Sequence, residues 1–332
     1  MNKAVEPLIK VVNLKKYFPV QKGFVETLLA RRVDYVKAVD GISFKINREE
    51  VFGLVGESGC GKTTTGRLLA KLLEPTEGEI FFDGENITHV KGDKLRKLRR
   101  RIQIIFQDPY ASLNPRMRIG DIVGHALEIH GIAKGEAKKN LVFKTLEEVG
   151  LTPPEKFYNL YPHELSGGQR QRVALARAII LKPEFIVADE PVSMIDVSIR
   201  ASILNTMLKL KEDFNLTYLF ITHDLAVAKY ITDRIAIMYL GKIVEVGPTR
   251  KVLSSPLHPY TQALLSAVPT PNPKTSKVKV FVGGEVPNPI SPPSGCRFHP
   301  RCPKAIEDLC SKLEPKEYSY TWDHVVYCHL YG

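Results

Sequence analysis

The chain has 332 residues, of which 44% are hydrophobic and 25% are charged, and this composition suits one large folded domain with an appendage. No run of 18 or more apolar residues occurs, and no apolar block of the signal-peptide kind follows the first residues. We therefore exclude a chain that builds a membrane pathway by itself and expect a cytosolic protein with a formal net charge of +11.

A glycine-rich loop is the first motif along the chain. The apolar run at residues 51–55 predicts a buried strand, a helix-like stretch covers residues 63–73, and the residues between them match the pattern G-x-x-x-x-G-K-S/T. Glycines and free N–H groups at a helix start favour phosphate binding, with Lys62 reaching the terminal phosphates and the Thr63 hydroxyl binding Mg²⁺. Cys60 fills a small-residue position, and we assign it no redox role. The expected nucleotide contacts are Gly56, Glu57, Ser58, Gly59, Cys60, Gly61, Lys62, Thr63 and Thr64.

Part of the positive charge is concentrated in residues 94–101, which include six lysines and arginines. Three interpretations remain open: a solvated helix face, proximity to anionic lipid headgroups, and contact with nucleic acid. The solvated face is the default interpretation. Nucleic acid is the least favoured, because no RNA-binding aromatic pattern accompanies the run.

The next segment, residues 111–165, is polar and predicted to be helical. Apolar residues recur at three-to-four spacing within residues 119–129 and 136–149. We expect a small helical subdomain here. It ends at Leu-Ser-Gly-Gly-Gln, residues 165–169, which leads directly into a helix-like run at residues 170–181. This helix start predicts a second anion site in addition to the glycine-rich loop. One nucleotide has only one triphosphate, so the presence of two phosphate sites in one chain needs an explanation.

Polar side chains follow three further strand-like runs. Asp189 and Glu190 come after residues 185–188, His223 after residues 218–221, and Gln107 after residues 102–106. Asp189 is placed to reach the outer shell of the same Mg²⁺, and Glu190 is placed to act as a general base for the attacking water. Each of these residues alone has an ordinary structural explanation. The occurrence of all of them together with the phosphate-loop pattern is improbable by chance and therefore favours a shared functional site.

Beyond residue 256 the composition changes. Prolines crowd between residues 269 and 293, which predicts an extended tail packed over the core. Four of the five cysteines lie in this tail, and clustered thiols in a cytosolic chain favour a metal over disulfides. A 4Fe-4S cluster is favoured over zinc, since no C-x-x-C pair is present, and over free thiols. The expected ligands are Cys296, Cys302, Cys310 and Cys328.

The set of motifs resembles the ATP-binding cassette (ABC) ATPases, whose signature motif reads Leu-Ser-Gly-Gly-Gln. Residues 106–115, 258–261 and 292–303 resemble the oligopeptide and dipeptide importer branch, in which members with these cysteines resemble cluster binders. The resemblance implies an α/β P-loop nucleotide-binding domain of the ABC type, with a helical subdomain and a Cys-containing tail. The implied domains are an ATPase domain at residues 5–255, including the helical subdomain at about 111–165, and a C-terminal extension at residues 256–332.

The same resemblance implies roles for individual residues. Gln107 would touch Mg²⁺ and the attacking water, His223 would contact the γ-phosphate, and Glu190 would be the general base. Tyr17 falls where the family stacks an aromatic ring on adenine, and Phe18 is its close competitor. The signature residues, which would contact ATP bound to the partner cassette, and the dimer-loop aspartate are Ser166, Gly167, Gly168, Gln169 and Asp196. Before Asp196 the family usually has Ser-Ala-Leu, so Met194 and Ile195 are departures.

The implied function is the ATP-hydrolysing subunit of an importer for di- and oligopeptides, peripheral at the cytoplasmic face of the membrane. Its partners would be two transmembrane permease subunits, a second cassette of the same or a related chain, and an extracytoplasmic solute-binding protein, with no nucleic acid. Oligosaccharide or nickel uptake by the same motor remains an alternative. Two further alternatives are a soluble ABC ATPase of DNA repair or translation and an iron–sulfur regulatory protein.

Overall fold

The structure is a computed structural model that describes residues 6–20, 34–267 and 283–332. The proline-rich stretch predicted as an extended tail therefore lies partly outside the described residues, from 269 to 282. Within the described residues, no helix is long and apolar enough to cross a bilayer.

The smaller of two sheets is antiparallel and has the strand order β2-β1-β4-β5. Its first strand places Ile9, Val11 and Leu14 in the core, and its long partner strand contributes Ile42 and Ile46. This sheet carries the aromatic residues expected near adenine. Its strands are β1 (Ile9–Pro19), β2 (Tyr35–Ile46), β4 (Glu77–Phe82) and β5 (Glu85–Asn86).

The larger sheet has eight strands in the order β11-β12-β10-β9-β3-β8-β7-β6. Its last five strands in that order are parallel, and the other three add antiparallel pairs at one side. Strands β3, β7 and β8 are buried at every residue, which is why they read as continuous apolar runs in the sequence. The strands are β3 (Val51–Val55), β6 (Ile102–Ile105), β7 (Phe185–Asp189), β8 (Thr217–Thr222), β9 (Arg234–Tyr239), β10 (Lys242–Pro248), β11 (Glu317–Thr321) and β12 (His324–Tyr327).

Helices cover both faces of the parallel strands. The first one packs so closely on β8 that a Cβ at Gly66 would lie 2.7 Å from Ile221 Cδ1. The two periodic segments between residues 119 and 149 form helices as predicted, and the basic run is also helical. The helices are α1 (Lys62–Leu69), α2 (Gly92–Arg101), α3 (Pro109–Ser112), α4 (Ile119–Ile129), α5 (Gly135–Glu148), α6 (Pro154–Tyr158), α7 (Gly167–Ile179), α8 (Val197–Phe214), α9 (Leu225–Ile231), α10 (Thr249–Ser254), α11 (Pro259–Ser266) and α12 (Leu309–Lys312).

The C-terminal extension is part of the larger sheet. Strand β12 pairs antiparallel with β10, so that Glu245 faces Val326, and β11 forms the sheet edge. The buried His324 imidazole lies 2.8 Å from the buried Glu245 carboxylate and joins the two strands. The sequence did not predict this pair of strands.

The parallel strands determine where the site forms. Because the carboxyl ends of parallel strands meet at one edge of a sheet, the loops after β3, β6, β7 and β8 converge there. Those four loops carry the phosphate-loop motif, Gln107, Glu190 and His223.

Candidate nucleotide site

The phosphate loop follows β3 and closes around the side chain of Lys62. The Lys62 ammonium is only 5% exposed and donates hydrogen bonds to the carbonyl oxygens of Gly56 (2.8 Å) and Glu57 (2.9 Å). Gly61 caps α1 with a φ of +108°, and a Cβ there would lie 2.1 Å from the Ala38 carbonyl oxygen. The loop therefore requires glycine at this position, and it presents backbone N–H groups at a helix start, as a phosphate site does.

A hydroxyl and a carboxylate meet beside the loop. Thr63 Oγ1 donates a hydrogen bond to Asp189 Oδ1 at 3.0 Å, and Asp189 is 3% exposed at the end of β7. Burial raises the pKa of Asp189, while the Thr63 hydrogen bond opposes that rise. Oxygen donors of this kind suit Mg²⁺, so the residues present fit the ion that the sequence predicts.

Glu190 is the centre of a three-residue cluster. Gln107 Nε2 donates to Glu190 Oε2 at 3.1 Å, and His223 Nδ1 lies 3.0 Å from Glu190 Oε1. Glu190 itself has a φ of +46°, and its N–H donates to the Ile221 carbonyl at 3.0 Å. A left-handed backbone at a non-glycine residue is costly and is found at functional sites. The structure thus brings together Glu190 and Gln107, which were predicted to act on the attacking water, and His223, which was predicted to contact the γ-phosphate.

The signature residues form a capped helix start. Ser166 caps α7, with its hydroxyl accepting from Gln169 N–H at 3.3 Å, while Gln169 Oε1 accepts from Ser166 N–H at 2.9 Å. The helix begins at Gly167, three residues before the predicted start, because of this cap. Among residues 6–20, 34–267 and 283–332, no hydrogen bond joins residues 166–169 to the phosphate loop or to Glu190. Within the described residues, the two predicted phosphate cradles are therefore not joined by hydrogen bonds.

The loop before α8 faces outward around Asp196. Asp196 is exposed, as are Met194 (59%) and Val197 (77%), whereas Ile195 is 5% exposed and belongs to the core. One departure from the family pattern thus fills the interior, and the other lies at the surface.

The two candidate adenine-stacking residues differ in how they are held. The Tyr17 hydroxyl donates to the Asp40 carboxylate, its N–H donates to Thr76 Oγ1 at 3.0 Å, and burial together with the Asp40 contact raises its pKa. Phe18 pairs with Val36 in the sheet, and Lys16 Nζ lies 5.2 Å from its ring centroid. Tyr17 is the more firmly positioned of the two, and its stacking role stays a prediction.

Comparison with known proteins assigns this site to a family. Residues 39–193 match the model of the ABC transporter family, and residues 244–310 match that of the oligopeptide/dipeptide transporter C-terminal region. The oligopeptide transport ATP-binding protein AppF of Bacillus subtilis is 47% identical over 330 residues, covering 98% of each chain. The chain belongs to the ABC transporter family, in its oligopeptide and dipeptide branch.

Further relatives and solved structures agree. The dipeptide transport ATP-binding protein DppF of Haemophilus influenzae is 45% identical over 322 residues, which cover 97% of this chain and 96% of that protein. The dimeric ATP-binding cassette MJ0796 bound to ADP and Pi has a TM-score of 0.63 and 30% identity, covering 73% of this chain and 99% of its own. The cassette cbiO1 of Clostridium perfringens has a TM-score of 0.63 and 25% identity over 75% of this chain and 92% of its own. This chain therefore has the cassette fold, α/β with mixed sheets, and is an ABC-type ATPase.

The predicted iron–sulfur cluster in the extension is wrong. All four predicted ligands are described as free thiols, and among the described residues no three His, Cys, Asp or Glu side chains form a group that could hold a metal. Burial raises the pKa of Cys296 to about 12 and also raises the pKa of Cys302 and Cys328. The names of the matched relatives agree with this correction, since they describe ATP-binding proteins of peptide transport and mention no iron–sulfur cluster.

Sequence reasoning missed the residues that reach the phosphate loop from the extension. Glu57 N–H donates to the Tyr260 hydroxyl at 3.0 Å, and Arg301 Nη1 lies 3.1 Å from Glu57 Oε2. Tyr260 lies in the segment 258–261 that resembles the importer branch, but nothing in the sequence indicated a contact with a residue 203 positions away.

Proposed function

We propose that this chain is the ATP-hydrolysing subunit that energises an importer of di- and oligopeptides at the cytoplasmic face of the membrane. The contact of Glu190 with both Gln107 and His223, beside the phosphate loop, is the observation that carries the proposal. The solute is taken from the relatives, whose names assign them to oligopeptide and dipeptide transport.

The hydrolytic step relies on residues at the carboxyl ends of four neighbouring strands. Lys62 would turn from the loop carbonyls to the terminal phosphates, and Thr63 with Asp189 would hold Mg²⁺, which neutralises charge that develops on the phosphate oxygens. Glu190 would accept a proton from the attacking water. Gln107 and His223 each occupy one of its oxygens, and a carboxylate retains further lone pairs for that proton.

Two cassettes would share each ATP. Ser166, Gly167, Gly168 and Gln169 start a helix whose N–H groups and dipole favour a phosphate, and within the described residues no hydrogen bond joins them to the phosphate loop of their own chain. The exposed loop at Asp196 would lie at the subunit contact. This arrangement explains why one chain carries two phosphate cradles.

The domain division follows the same proposal. Residues 5–255 would form the ATPase domain, with α4 to α6 as the helical subdomain within residues 111–165, and residues 256–332 would form the extension. The partners would be two transmembrane permeases, a second cassette of the same or a related chain and an extracytoplasmic solute-binding protein.

Stimulation of ATP hydrolysis tests this assignment against the soluble ABC ATPases. We expect the purified chain, combined with liposomes that contain the permease pair and its second cassette, to hydrolyse ATP several-fold faster when peptide-loaded binding protein is added. The measurement is phosphate release, with single-stranded DNA and RNA as the matched additions. Stimulation by nucleic acid, and none by the permease liposomes, would refute the transport assignment.

A further inference from the structure

The C-terminal extension holds one residue of the phosphate loop from two sides. The Glu57 N–H donates to Tyr260 Oη at 3.0 Å, and the Glu57 carboxylate pairs with Arg301 at 3.1 Å. The pair is largely shielded from water, since the Arg301 side chain is 12% exposed and that of Glu57 is 31% exposed. Both the backbone and the charge of Glu57 therefore depend on residues outside the motif.

The extension residues that make these contacts are fixed by their own packing. The Tyr260 ring is 1% exposed and lies 4.6 Å from the Tyr239 ring and 5.4 Å from the Phe298 ring, measured between centroids. The Arg301 guanidinium lies 5.8 Å from the centroid of Tyr239 and donates to its hydroxyl at 3.3 Å. The buried His258 accepts the Tyr260 N–H on Nδ1 at 3.0 Å, and burial lowers its pKa to about 3, so the ring stays neutral and able to accept.

A second set of contacts reaches the opposite end of the site. Arg297 of the extension pairs with Asp40 and donates to the Leu240 carbonyl oxygen, and Asp40 in turn accepts the Tyr17 hydroxyl. Lys37 N–H also donates to the Pro289 carbonyl at 3.1 Å. The extension thus contacts the side expected to receive adenine as well as the phosphate loop.

The positive charge of Arg301 compensates the negative charge of Glu57 in the phosphate loop. A carboxylate in a loop that binds a triphosphate repels the ligand unless a cation compensates it, and Arg301 is the cation that the structure places on Glu57. Removing one partner of a shielded ion pair leaves an uncompensated charge, which costs more than removing both.

We propose that Arg301 is a positioning residue of the nucleotide site: it neutralises Glu57 and thereby sets the affinity of the phosphate loop for nucleotide phosphates. The inference rests on the proposed function of that loop. It makes the C-terminal extension a part of the ATP site.

Nucleotide binding by four full-length variants tests the proposal. We expect Arg301→Gln to weaken Mg-ATP binding about tenfold, and Mg-ADP binding less, because ADP carries less negative charge. Glu57→Gln is expected to bind Mg-ATP more tightly than the wild type, because it leaves the Arg301 cation uncompensated beside the phosphates, and Glu57→Gln combined with Arg301→Gln is expected to return to within about threefold of the wild type. Lys304→Gln is the matched control, since Lys304 is an exposed cation of the same extension that contacts Gln262 at 3.3 Å.

The outcomes separate this inference from the proposed function. Unchanged ATP binding by Arg301→Gln, or a double variant as weak as Arg301→Gln alone, would overturn the inference, because packing and not charge would then matter. If Arg301→Gln does not fold, unchanged or weaker binding of Mg-ATP by Glu57→Gln would overturn the inference. Normal ATP binding by Lys62→Ala would instead show that the phosphate loop is not the nucleotide site.

Discussion

Glu190→Gln is expected to abolish steady-state ATP hydrolysis, by a factor of about 100 to 10,000, while Mg-ATP binding stays within about threefold of the wild type. The amide keeps the size of the side chain, and its oxygen can still accept from Gln107 Nε2, but it no longer accepts the proton of the attacking water. Phosphate release and equilibrium binding of labelled ATP, measured on the same preparation, give the two numbers.

Glu212→Gln is the matched control for this substitution. Glu212 is an exposed residue of α8, and its replacement removes the same charge at a distance from the cluster. Hydrolysis at the wild-type rate by Glu190→Gln would refute the general-base role. Loss of hydrolysis in both variants would indicate an effect of net charge.

Lys62→Ala is expected to weaken Mg-ATP binding by about 10- to 100-fold or more and to remove hydrolysis with it. A charge-assisted hydrogen bond contributes about 1.5 to 3 kcal/mol, and the alanine variant loses both the contact with the terminal phosphates and the two bonds that hold the loop carbonyls. Isothermal titration with Mg-ATP measures the affinity directly.

Lys91→Ala serves as the control for the loss of one lysine. Its ammonium is exposed and pairs weakly with Glu74 at 3.5 Å, so its removal should leave ATP affinity unchanged. Equal affinity of Lys62→Ala and Lys91→Ala would contradict the assignment of the phosphate loop.

Much of the ATPase core could be predicted from the sequence because its strands are buried on both faces. The runs at residues 51–55, 185–188 and 218–221 are apolar without interruption, and the structure forms β3, β7 and β8 at these positions. A polar residue just after such a run lies at the carboxyl edge of the sheet, which is where the structure places Glu190 and His223.

The extension could not be predicted in the same way. Its edge strand, Glu317–Thr321, has exposed aromatic residues that break the apolar pattern, and its inner strand, His324–Tyr327, has only four residues. The grouping of cysteines in the sequence does not show whether the fold arranges their thiols as a metal site, and among the described residues no group that could hold a metal is found. The contact between Glu57 and Arg301 spans 244 positions and exists only in the fold.

Peptide uptake by cells that carry Lys62→Ala in place of the wild-type chain is the most direct test of the account. The host should lack its other peptide uptake systems, and Lys91→Ala should be compared in parallel. The account predicts that uptake of a labelled tripeptide falls to background with Lys62→Ala and stays at the wild-type rate with Lys91→Ala. Undiminished uptake with Lys62→Ala would contradict the conclusion that ATP bound at this loop energises peptide import.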